Sequence, residues 1–578
     1  MTEPTASAAR DRAWLSAYAP WTPPTLDYPD RTLTDLFTAT VRDHGDHTAT
    51  EFFGASLTYR RLGRLVDEAA EGLRQLGVGP GDRVAVILPN CPQHLVVIYA
   101  VLSLGATVAE HNPLYTAAEL RHPFTVHGAT VAVTWDRGTE LCRALTRDTP
   151  LRTVVTVNVI DDMPPLTRLA LHLPVPALRE KRRQLHARER GTLTFRQLLA
   201  AGRRSLAAAG GQRPGPGPTP DSEALILFTS GTTGVPKGAP LSHRNIVTNI
   251  IQGQAWMPGM DGSRELSILA VLPLFHVYGF TLTAGLGVAA GGTLIMLPSP
   301  DPALMTGLLR KRTPTYMPGV PTLYSRVLDA ADAEGVDLSG IEFALSGAAA
   351  LPVPVTRRWE EHTGGRIVEG YGLTETGPVL AANPFTDDRR AGYVGVPFPD
   401  TELRIGDPED LSRTLPDGEP GELLARGPQV FAGYLDLAEE EQPFHDGWFR
   451  TGDIAVMEPD GFIRIVSRLK EMIITGGFNV YPAEVEKELV AHPDIARAAV
   501  VGVPREDGSE EVTAAVVLAE GVGRGSVDDA ALRAWLKERL TPYKVPRRFV
   551  VVDDLPSDLI GKVRRREVRD LVTGTADD

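Results

Sequence analysis

The sequence F-T-S-G-T-T-G-V-P-K-G at residues 228–238 places hydroxyl side chains, glycines and a lysine directly after a short apolar run. The apolar run, residues 224–228, predicts a buried strand that ends where the polar stretch begins. Glycine lets the backbone turn through positive φ and approach a ligand, and successive N–H groups in such a turn form an anion-binding concavity. Lys237 adds a positive charge, and the hydroxyl groups can donate hydrogen bonds to phosphate oxygens. The stretch therefore predicts a loop that binds a polyphosphate.

The spacing differs from the G-x-x-x-x-G-K-[ST] loop of many nucleotide-binding proteins, because Pro236 stands where that motif requires glycine. Taken alone, the run could also be a polar surface loop. It resembles the phosphate loop of the adenylate-forming superfamily, which includes acyl-CoA synthetases and firefly luciferase. The resemblance implies that the following residues contact the phosphates of ATP: Thr229, Ser230, Gly231, Thr232, Thr233, Gly234 and Lys237.

Two later turns strengthen this resemblance. A-L-S-G-A-A-A-L-P at 344–352 and E-G-Y-G-L-T-E at 369–375 each follow a predicted strand, and open α/β sheets bind ligands at such strand ends. By resemblance, Tyr371 stacks on adenine, Thr374 binds phosphate and Glu375 binds Mg²⁺, a hard cation that prefers oxygen ligands. The remaining nucleotide contacts implied for these turns are Gly347, Ala348, Ala349, Glu369, Gly370 and Gly372.

The C-terminal third carries further motifs in the family's order. Asp453, at the end of W-F-R-T-G-D, and Arg468 match the two ribose contacts, and Lys470 matches the hinge between domains. Gly476 and Gly477 match residues that border the coenzyme A tunnel. Lys562 ends L-P-S-D-L-I-G-K, whose spacing matches the motif of the catalytic lysine. Ser467, Ser557 and Asp558 depart from residues that many relatives carry at those positions.

A histidine in apolar company, His276 in L-P-L-F-H-V-Y-G, would ordinarily be a core residue. The resemblance instead implies that it lines the pocket for the substrate carboxylate and acyl group. The other acyl-pocket candidates are Val277, Tyr278, Phe280, Gly319, Val320 and Val379.

Strands and helices alternate along most of the chain, for example a strand at 84–88, a helix at 93–104 and a strand at 131–135. This alternation predicts an α/β fold with parallel, helix-covered sheets. Together with the resemblance, it predicts a large N-terminal domain of two such sheets plus a small β-barrel subdomain, spanning residues 1–468. A small mobile α+β domain spans residues 470–578, with the hinge at Lys470. The Gly/Pro-rich stretch 210–220 predicts a linker.

The amino-acid composition excludes some partners and locations. The chain of 578 residues carries 59 basic and 73 acidic residues, a net charge of −14, which argues against nucleic acid as a partner. Its two cysteines, Cys91 and Cys142, offer neither a disulfide framework nor a metal site. The N-terminus lacks a secretory signal, so a cytoplasmic location is expected. Residues 266–300 carry no charged side chain, but prolines and glycines divide them, which predicts a buried α/β unit rather than a membrane span.

Residues 165–190 differ from the rest, with seven basic and two acidic side chains accompanied by leucines. Such a basic amphipathic helix can bind peripherally to an anionic membrane, here the inner membrane surface. It can equally be a solvated helix that shields the domain. The sequence leaves the oligomeric state open, with a homodimer as one option.

The resemblance covers about residues 33–569 and is closest to bacterial medium- and long-chain fatty-acid–CoA ligases. It implies an acid–thiol ligase that uses ATP, Mg²⁺ and coenzyme A: a carboxylic acid is adenylated with release of pyrophosphate, and coenzyme A then displaces AMP. A fatty-acyl-AMP ligase, an aryl or other carboxylate–CoA ligase, and a non-enzymatic nucleotide-sensing scaffold are the alternatives. An amino-acid adenylation domain would need an acidic residue near His276. Relatives are acetylated on the catalytic lysine, so a lysine acetyltransferase acting on Lys562 is a further expected partner.

Overall fold

The computed structural model describes residues 12–187, 191–208, 217–229, 235–260, 264–475, 478–505, 510–525, 527–557 and 561–574. The predicted phosphate-loop residues Ser230, Gly231, Thr232, Thr233 and Gly234 lie outside these ranges. So do Gly476, Gly477, Asp558, Arg188, Glu189, Arg190 and most of the predicted linker at 210–220.

One sheet carries the strand that leads into the phosphate loop. Its strands are parallel except the last, Lys237–Ser242, which returns antiparallel to its neighbour. In spatial order they are Leu193–Thr194, Thr153–Val157, Val131–Trp135, Arg83–Ile87, Thr107–Glu110, Glu223–Thr229 and Lys237–Ser242. Consecutive residues such as Ala224, Leu225 and Ile226 are all buried. Because helices cover both faces of the sheet, side chains on either face meet an apolar environment, which explains the continuous apolar runs.

A second sheet lies beside the first and is parallel through its centre, with antiparallel strands at both edges. In spatial order its strands are Val396–Pro397, Val379–Ala382, Arg366–Gly372, Phe343–Ser346, Tyr316–Gly319, Ser267–Ala270, Thr293–Met296, Thr48–Phe52 and Ala55–Thr58. The charge-free stretch 266–300 forms two of the central strands and the buried helical turns Val277–Gly279, Phe280–Gly285 and Leu286–Ala289. The prediction of a core α/β unit is therefore confirmed, and no described helix is long and apolar enough to span a membrane.

Helices cover both sheets, and side-chain caps fix several of their starts. Thr32, Thr116 and Ser242 each accept a hydrogen bond from the backbone three residues on, in reciprocal capping boxes. The helices of the large domain are Leu33–Asp43, Tyr59–Gln75, Pro92–Ser103, Ala117–His127, Thr139–Leu145, Pro165–Ala170, Pro176–Leu185, Phe195–Ala208, His243–Trp256, Pro302–Leu309, Pro321–Glu334 and Val353–Thr363. Their inner faces share an apolar core around the fully buried rings of Trp359, Tyr59 and Tyr324.

An antiparallel sheet follows, formed by Glu402–Gly406, Gly421–Arg426, Phe444–His445, Trp448–Met457 and Ile463–Arg468. This sheet is the expected small β subdomain. After the turn Leu469–Glu471 come the strands Ile473–Thr475, Phe478–Val480, Ile495–Pro504, Glu510–Leu518 and Arg548–Val551 and the helices Pro482–Val490, Asp529–Lys537 and Arg565–Thr573. These last elements bury apolar clusters of their own.

The composition of the basic segment 165–190 suggested one amphipathic helix, but the structure shows two shorter helices. A helix at Pro165–Ala170 is followed by a break and a second helix at Pro176–Leu185. Pro174 and Pro176 account for the break, because proline disfavours helical backbone at the residue before it. Cys91 and Cys142 are both buried and free, as expected for core residues.

Candidate functional site

Two paired strands, Glu223–Thr229 and Lys237–Ser242, flank the predicted phosphate loop. Thr229, at the end of one strand, pairs with Lys237 at the start of the next. Residue Ser242 ends the second strand and caps the helix His243–Trp256. Thr229 and Lys237 are therefore one strand spacing apart, at the two ends of the predicted phosphate loop.

Contacts from two other parts of the chain fix the lysine side of this strand pair. Leu435 N–H donates to the Gly238 carbonyl (2.9 Å), and Gly238 N–H donates to Asp436 Oδ1 (3.3 Å). His122 Nε2 lies 3.1 Å from the Pro236 carbonyl oxygen and 3.6 Å from Asp436 Oδ2. The connection between the β-subdomain strands Gly421–Arg426 and Phe444–His445 therefore contacts the strand that begins with Lys237.

Tyr434 joins Lys237 to Glu375. Lys237 Nζ lies 5.2 Å from the centre of the Tyr434 ring, a cation–π contact, and the Tyr434 hydroxyl donates to Glu375 Oε1 at 2.5 Å. The Thr229 hydroxyl also reaches the phenol oxygen, and burial together with the Glu375 charge raises the pKa of Tyr434 well above its usual range. No motif singled out Tyr434 in the sequence, because its contacts are with residues distant in the chain.

Glu375 sits in a single turn, Thr374–Thr376, just beyond the strand Arg366–Gly372. Its side chain is buried, and its carbonyl accepts a hydrogen bond from Phe431 N–H (2.8 Å). The carboxylate is thereby held at the carboxyl end of a central strand, beside the lysine of the phosphate loop. Among the described residues, no group of three or more His, Cys, Asp or Glu side chains could hold a metal ion.

Asp453 is the centre of a second cluster. The Tyr371 hydroxyl donates to its Oδ2 (2.5 Å), and Arg468 Nε lies 2.8 Å from its Oδ1. Asp453 and Arg468 are direct partners in the β subdomain, so strand register sets their contact. Burial raises the pKa of Asp453 in spite of Arg468, Tyr371 and the nearby Lys562 charge. The hypothesised ribose-binding pair is therefore assembled together with the tyrosine assigned to the adenine.

Lys562 lies close enough to act on Asp453 electrostatically, although it belongs to the C-terminal elements. Its neighbour Gly561 rests against the large domain: a Cβ there would lie 2.8 Å from Thr322 Oγ1. Thr322 is in the first turn of the helix Pro321–Glu334, next to the acyl-pocket candidate Val320. The structure thus places the predicted catalytic lysine on the side of the C-terminal elements that faces Asp453 and Thr322.

The C-terminal elements are also tied to the turn that contains Lys470. Arg565 Nε lies 2.7 Å from Glu471 Oε2, and its guanidinium also contacts Glu486 and donates to the Val500 carbonyl at 2.8 Å. Glu471 is thereby paired with the helix Arg565–Thr573, while its charge also acts on Arg468 of the β subdomain.

The turn predicted to flank adenine contains an unusual backbone. Ala348 has φ +67°, a left-handed conformation that a residue with a side chain rarely adopts. Ala348 and Ala349 are exposed, while Gly347 is buried, with its N–H bonded to the Gly319 carbonyl at 3.1 Å. Burial raises the pKa of Glu369, at the start of the second turn, to about 8, and a hydrogen bond from the Leu351 backbone only partly offsets this.

The acyl-pocket candidates surround two tyrosines. Tyr278 and Tyr324 donate to the same carbonyl, that of Leu345, at 2.5 and 2.7 Å. A Cβ on Gly347 would lie 3.0 Å from the Tyr278 ring, and one on Gly319 would lie 2.8 Å from Tyr324, so both glycines make room for aromatic rings. Val277, Phe280, Val320 and Val379 are all buried.

His276 begins the helical turns that carry Tyr278. Its Nδ1 accepts a hydrogen bond from Tyr278 N–H (3.3 Å). Because Nδ1 accepts this bond, the neutral ring carries its proton on Nε2. This tautomer suits a residue that donates to a carboxylate.

The fold and these clusters define the class: an α/β protein with buried acidic groups and their partners gathered beside the carboxyl end of the strand Arg366–Gly372. Comparison with protein-family models matches residues 37–435 to the AMP-binding enzyme model and residues 484–562 to the AMP-binding enzyme C-terminal domain. The chain therefore belongs to the AMP-binding enzyme family.

The chain is similar over almost its whole length to characterised proteins. It is 35% identical to a long-chain-fatty-acid–CoA ligase of Bacillus subtilis, over 96% of this chain and 97% of the relative. It is 33% identical to a feruloyl-CoA synthase of an Amycolatopsis species, over 90% and 95% of the two chains. The crystal structure of ATP-bound MatB from Rhodopseudomonas palustris superposes with a TM-score of 0.79 at 30% identity, over 95% of this chain and all of that one.

Proposed function

We propose that the protein is an ATP-dependent acid–CoA ligase that activates a medium- or long-chain fatty acid. A carboxylate oxygen attacks the α-phosphorus of ATP, and the bond to the bridging oxygen breaks, giving acyl-adenylate and pyrophosphate. The thiolate of coenzyme A then attacks the acyl carbonyl, and AMP leaves.

One observation carries this proposal: residues from four distant parts of the chain converge on one place. Lys237 and Glu375 are linked through Tyr434, and both Glu375 and Asp453 act electrostatically on Arg468. Lys562 reaches Asp453 from the C-terminal elements. A nucleotide triphosphate, with anionic phosphates at one end and ribose hydroxyls at the other, matches this spread of cationic and acidic groups.

The first step joins two anions, so positive charge has to surround the reacting atoms. Lys237 and the loop amides would hold the outer phosphates, and Lys562 would neutralise the charge that develops between carboxylate and α-phosphate. Asp453 can accept hydrogen bonds from both ribose hydroxyls while Arg468 fixes its orientation.

Glu375 fits a magnesium ion that arrives with the substrate. Mg²⁺ in ATP sites is commonly held by one or two carboxylates plus phosphate oxygens, rather than by a cage of protein ligands. A single buried carboxylate beside Lys237, without a larger acidic cluster in the described parts of the chain, matches that pattern. The ion would supply charge neutralisation on the phosphates.

The second step requires another surface of the C-terminal domain. For the first step, the support is that the Lys562 charge lies near enough to Asp453 to lower its pKa. We infer that the domain turns about Lys470 after adenylation and presents Gly476 and Gly477 to coenzyme A. The turn Leu469–Glu471, between two strands, is where such a motion would be absorbed.

The choice of a fatty acid rests on two points. The pocket candidates Val277, Phe280 and Val320 are apolar, and each buried CH₂ of a substrate contributes about 0.8 kcal/mol. The B. subtilis relative is named for long-chain fatty acids, whereas the Amycolatopsis relative is named for ferulate, an aryl acid.

A single experiment separates the candidate functions. Pyrophosphate release is measured over a panel of saturated fatty acids from C4 to C18 and aryl acids, each with and without coenzyme A, together with thioester formation. We expect the longer fatty acids to give pyrophosphate and, with coenzyme A, thioester. Adenylate without thioester would identify a fatty-acyl-AMP ligase, preference for aryl acids would assign the other substrate class, and absence of turnover with every acid would favour a nucleotide sensor.

A further inference from the structure

Residues 165–185 form a basic, leucine-rich surface that the proposed reaction does not use. The exposed fractions of its large aliphatic side chains are 80% at Leu166, 66% at Leu169, 48% at Leu173 and 44% at Val175. Isolated exposed leucines are ordinary in proteins, but a contiguous group marks an interaction site.

The leucines share one face of a helical segment. Leu166 and Leu169 are three residues apart in the helix Pro165–Ala170, and the turn continues through Leu173, whose N–H donates to the Ala170 carbonyl (3.0 Å). Side chains with this spacing point in the same direction. Leu171 is buried in the main core instead, so the segment is anchored with its apolar face outward.

Positive charge accompanies this apolar face. Between residues 164 and 187 the only acidic side chain is Glu180, against the basic residues Arg168, Arg179, Lys181, Arg182 and Arg183. The rest of the chain is acidic enough to give a net charge of −14, so this basic cluster is local. The second helix is held to the body where Trp135 Nε1–H donates to the Leu185 carbonyl (2.9 Å) and Arg137 donates to the Gln184 carbonyl (2.8 Å).

We propose that this surface docks on an anionic lipid bilayer, with the leucines in the interface and the basic side chains against the headgroups. Leucine and arginine together match a membrane surface, which offers acyl chains and negative charge at adjacent depths. A second copy of the chain is a poorer occupant, because a two-fold contact would place the five basic residues of each copy opposite one another.

The position of this surface in the fold is compatible with docking during catalysis. The segment connects the strands Thr153–Val157 and Leu193–Thr194, at one edge of the sheet whose opposite edge is the strand Lys237–Ser242. With strands spaced about 4.8 Å apart, Thr229 and Lys237 lie roughly 25–30 Å from that edge. A bilayer against residues 165–185 therefore leaves the nucleotide site clear.

The test is flotation of the full-length protein with vesicles of phosphatidylcholine alone or with 30 mole per cent phosphatidylglycerol, at ~50 and ~500 mM NaCl. We expect binding to the anionic vesicles at low salt and its loss at high salt. A variant with Leu166→Ser and Leu169→Ser should bind at least about tenfold more weakly. A variant with Arg179→Gln and Arg183→Gln should bind roughly 25-fold more weakly, since each basic residue near such a surface strengthens adsorption about fivefold.

The matched control variants carry the same types of substitution at surface positions outside residues 165–185. Val490→Ser removes an exposed aliphatic side chain, and Arg42→Gln with Arg60→Gln removes two exposed charges. Both should bind vesicles like the parent, and all variants should keep their pyrophosphate release in vesicle-free buffer, which shows that they are folded.

Three results would overturn the proposal. The first is equal binding to neutral and anionic vesicles. The second is unchanged binding of the leucine variant when the arginine variant has lost it, which would indicate a general polyanion site. The third is a parent dimer in sedimentation velocity that the leucine variant converts to monomer, which would assign the surface to a second copy.

Discussion

The contact of Gly561 with Thr322 offers a direct test of how Lys562 reaches the nucleotide site. A methyl group at residue 561 would lie 2.8 Å from Thr322 Oγ1 and 3.2 Å from its Cγ2, closer than van der Waals contact allows. Gly561→Ala should therefore push the segment that carries Lys562 away from the large domain. Overpacking of this kind costs about 1–3 kcal/mol. Adenylate formation should fall by about 5- to 150-fold, because each 1.36 kcal/mol corresponds to a factor of ten.

The assay compares two half-reactions in single turnover: pyrophosphate release from ATP and fatty acid, and thioester formation from supplied acyl-adenylate. Only the first should be impaired, because the second is proposed to use another orientation of the domain. Gly561 has φ +81°, so alanine also introduces backbone strain of about 1–2 kcal/mol, which acts in both orientations.

A second substitution separates steric contact from strain. Thr322→Ala removes Oγ1 and Cγ2 and leaves the Thr322 Cβ at an ordinary 3.5 Å, so Gly561→Ala with Thr322→Ala should recover most of the lost adenylation. Gly521→Ala is the strain control, because Gly521 has φ +84° and no atom within 4 Å of the added methyl group. Equal loss of both half-reactions, or no recovery in the double variant, would refute the inferred docking of Lys562.

Four further outcomes are expected. Lys562→Ala should slow pyrophosphate release by roughly 10²–10³-fold but spare thioester formation from supplied acyl-adenylate; equal impairment would contradict its role. Lys470→Pro, which fixes φ near about −65°, should keep single-turnover adenylation and lose most thioester formation, and an unimpaired second step would place the pivot elsewhere. Tyr434→Phe should lower the free energy of unfolding in urea by about 1–2 kcal/mol, because Glu375 loses its donor; an unchanged midpoint would contradict this. Glu369 has a pKa of about 8 instead of 4.5, so the folded state binds more protons than the unfolded state between these values and stability falls as pH rises through that window. Glu369→Gln should remove this loss, and melting curves at pH 5 and pH 8.5 that keep the parent's difference would contradict the assignment.

The sequence predicted the elements of the large domain well, because strong local signals specify them. The strands at 84–88 and 131–135 and the helix at 93–104 lie within one or two residues of Arg83–Ile87, Val131–Trp135 and Pro92–Ser103. Each of these segments is a continuous apolar run, as expected for an element buried between other layers of structure. The signal is therefore contained in the segment's own residues. The break between the two basic helices could also have been predicted from Pro174 and Pro176, since the residue before a proline disfavours helical backbone.

The site was only partly predictable. Asp453 and Arg468 could be named from motifs, but their direct pairing depends on strand register in the β subdomain. Tyr434 and His122 carried no signal, because a tyrosine in A-G-Y-L and a histidine in L-R-H-P gain their roles from partners far along the chain. The contact between Gly561 and Thr322 depends on how two domains meet, which no local pattern encodes.

The ion pairs on either side of Lys470 limit where along the backbone the proposed rotation can take place. Arg468 is fastened to Asp453 in the large domain, and Glu471 is fastened to Arg565 in the last helix. If both pairs persist, the proposed rotation is concentrated in the short backbone segment from Arg468 to Glu471. If the C-terminal domain moves as a rigid body, a change of a few tens of degrees in the dihedrals of this segment displaces Lys562, which is far from the turn along the chain, by many ångströms. The proposed change of orientation would then come from a change of backbone dihedrals in the turn Leu469–Glu471, and not from gradual bending of the domain.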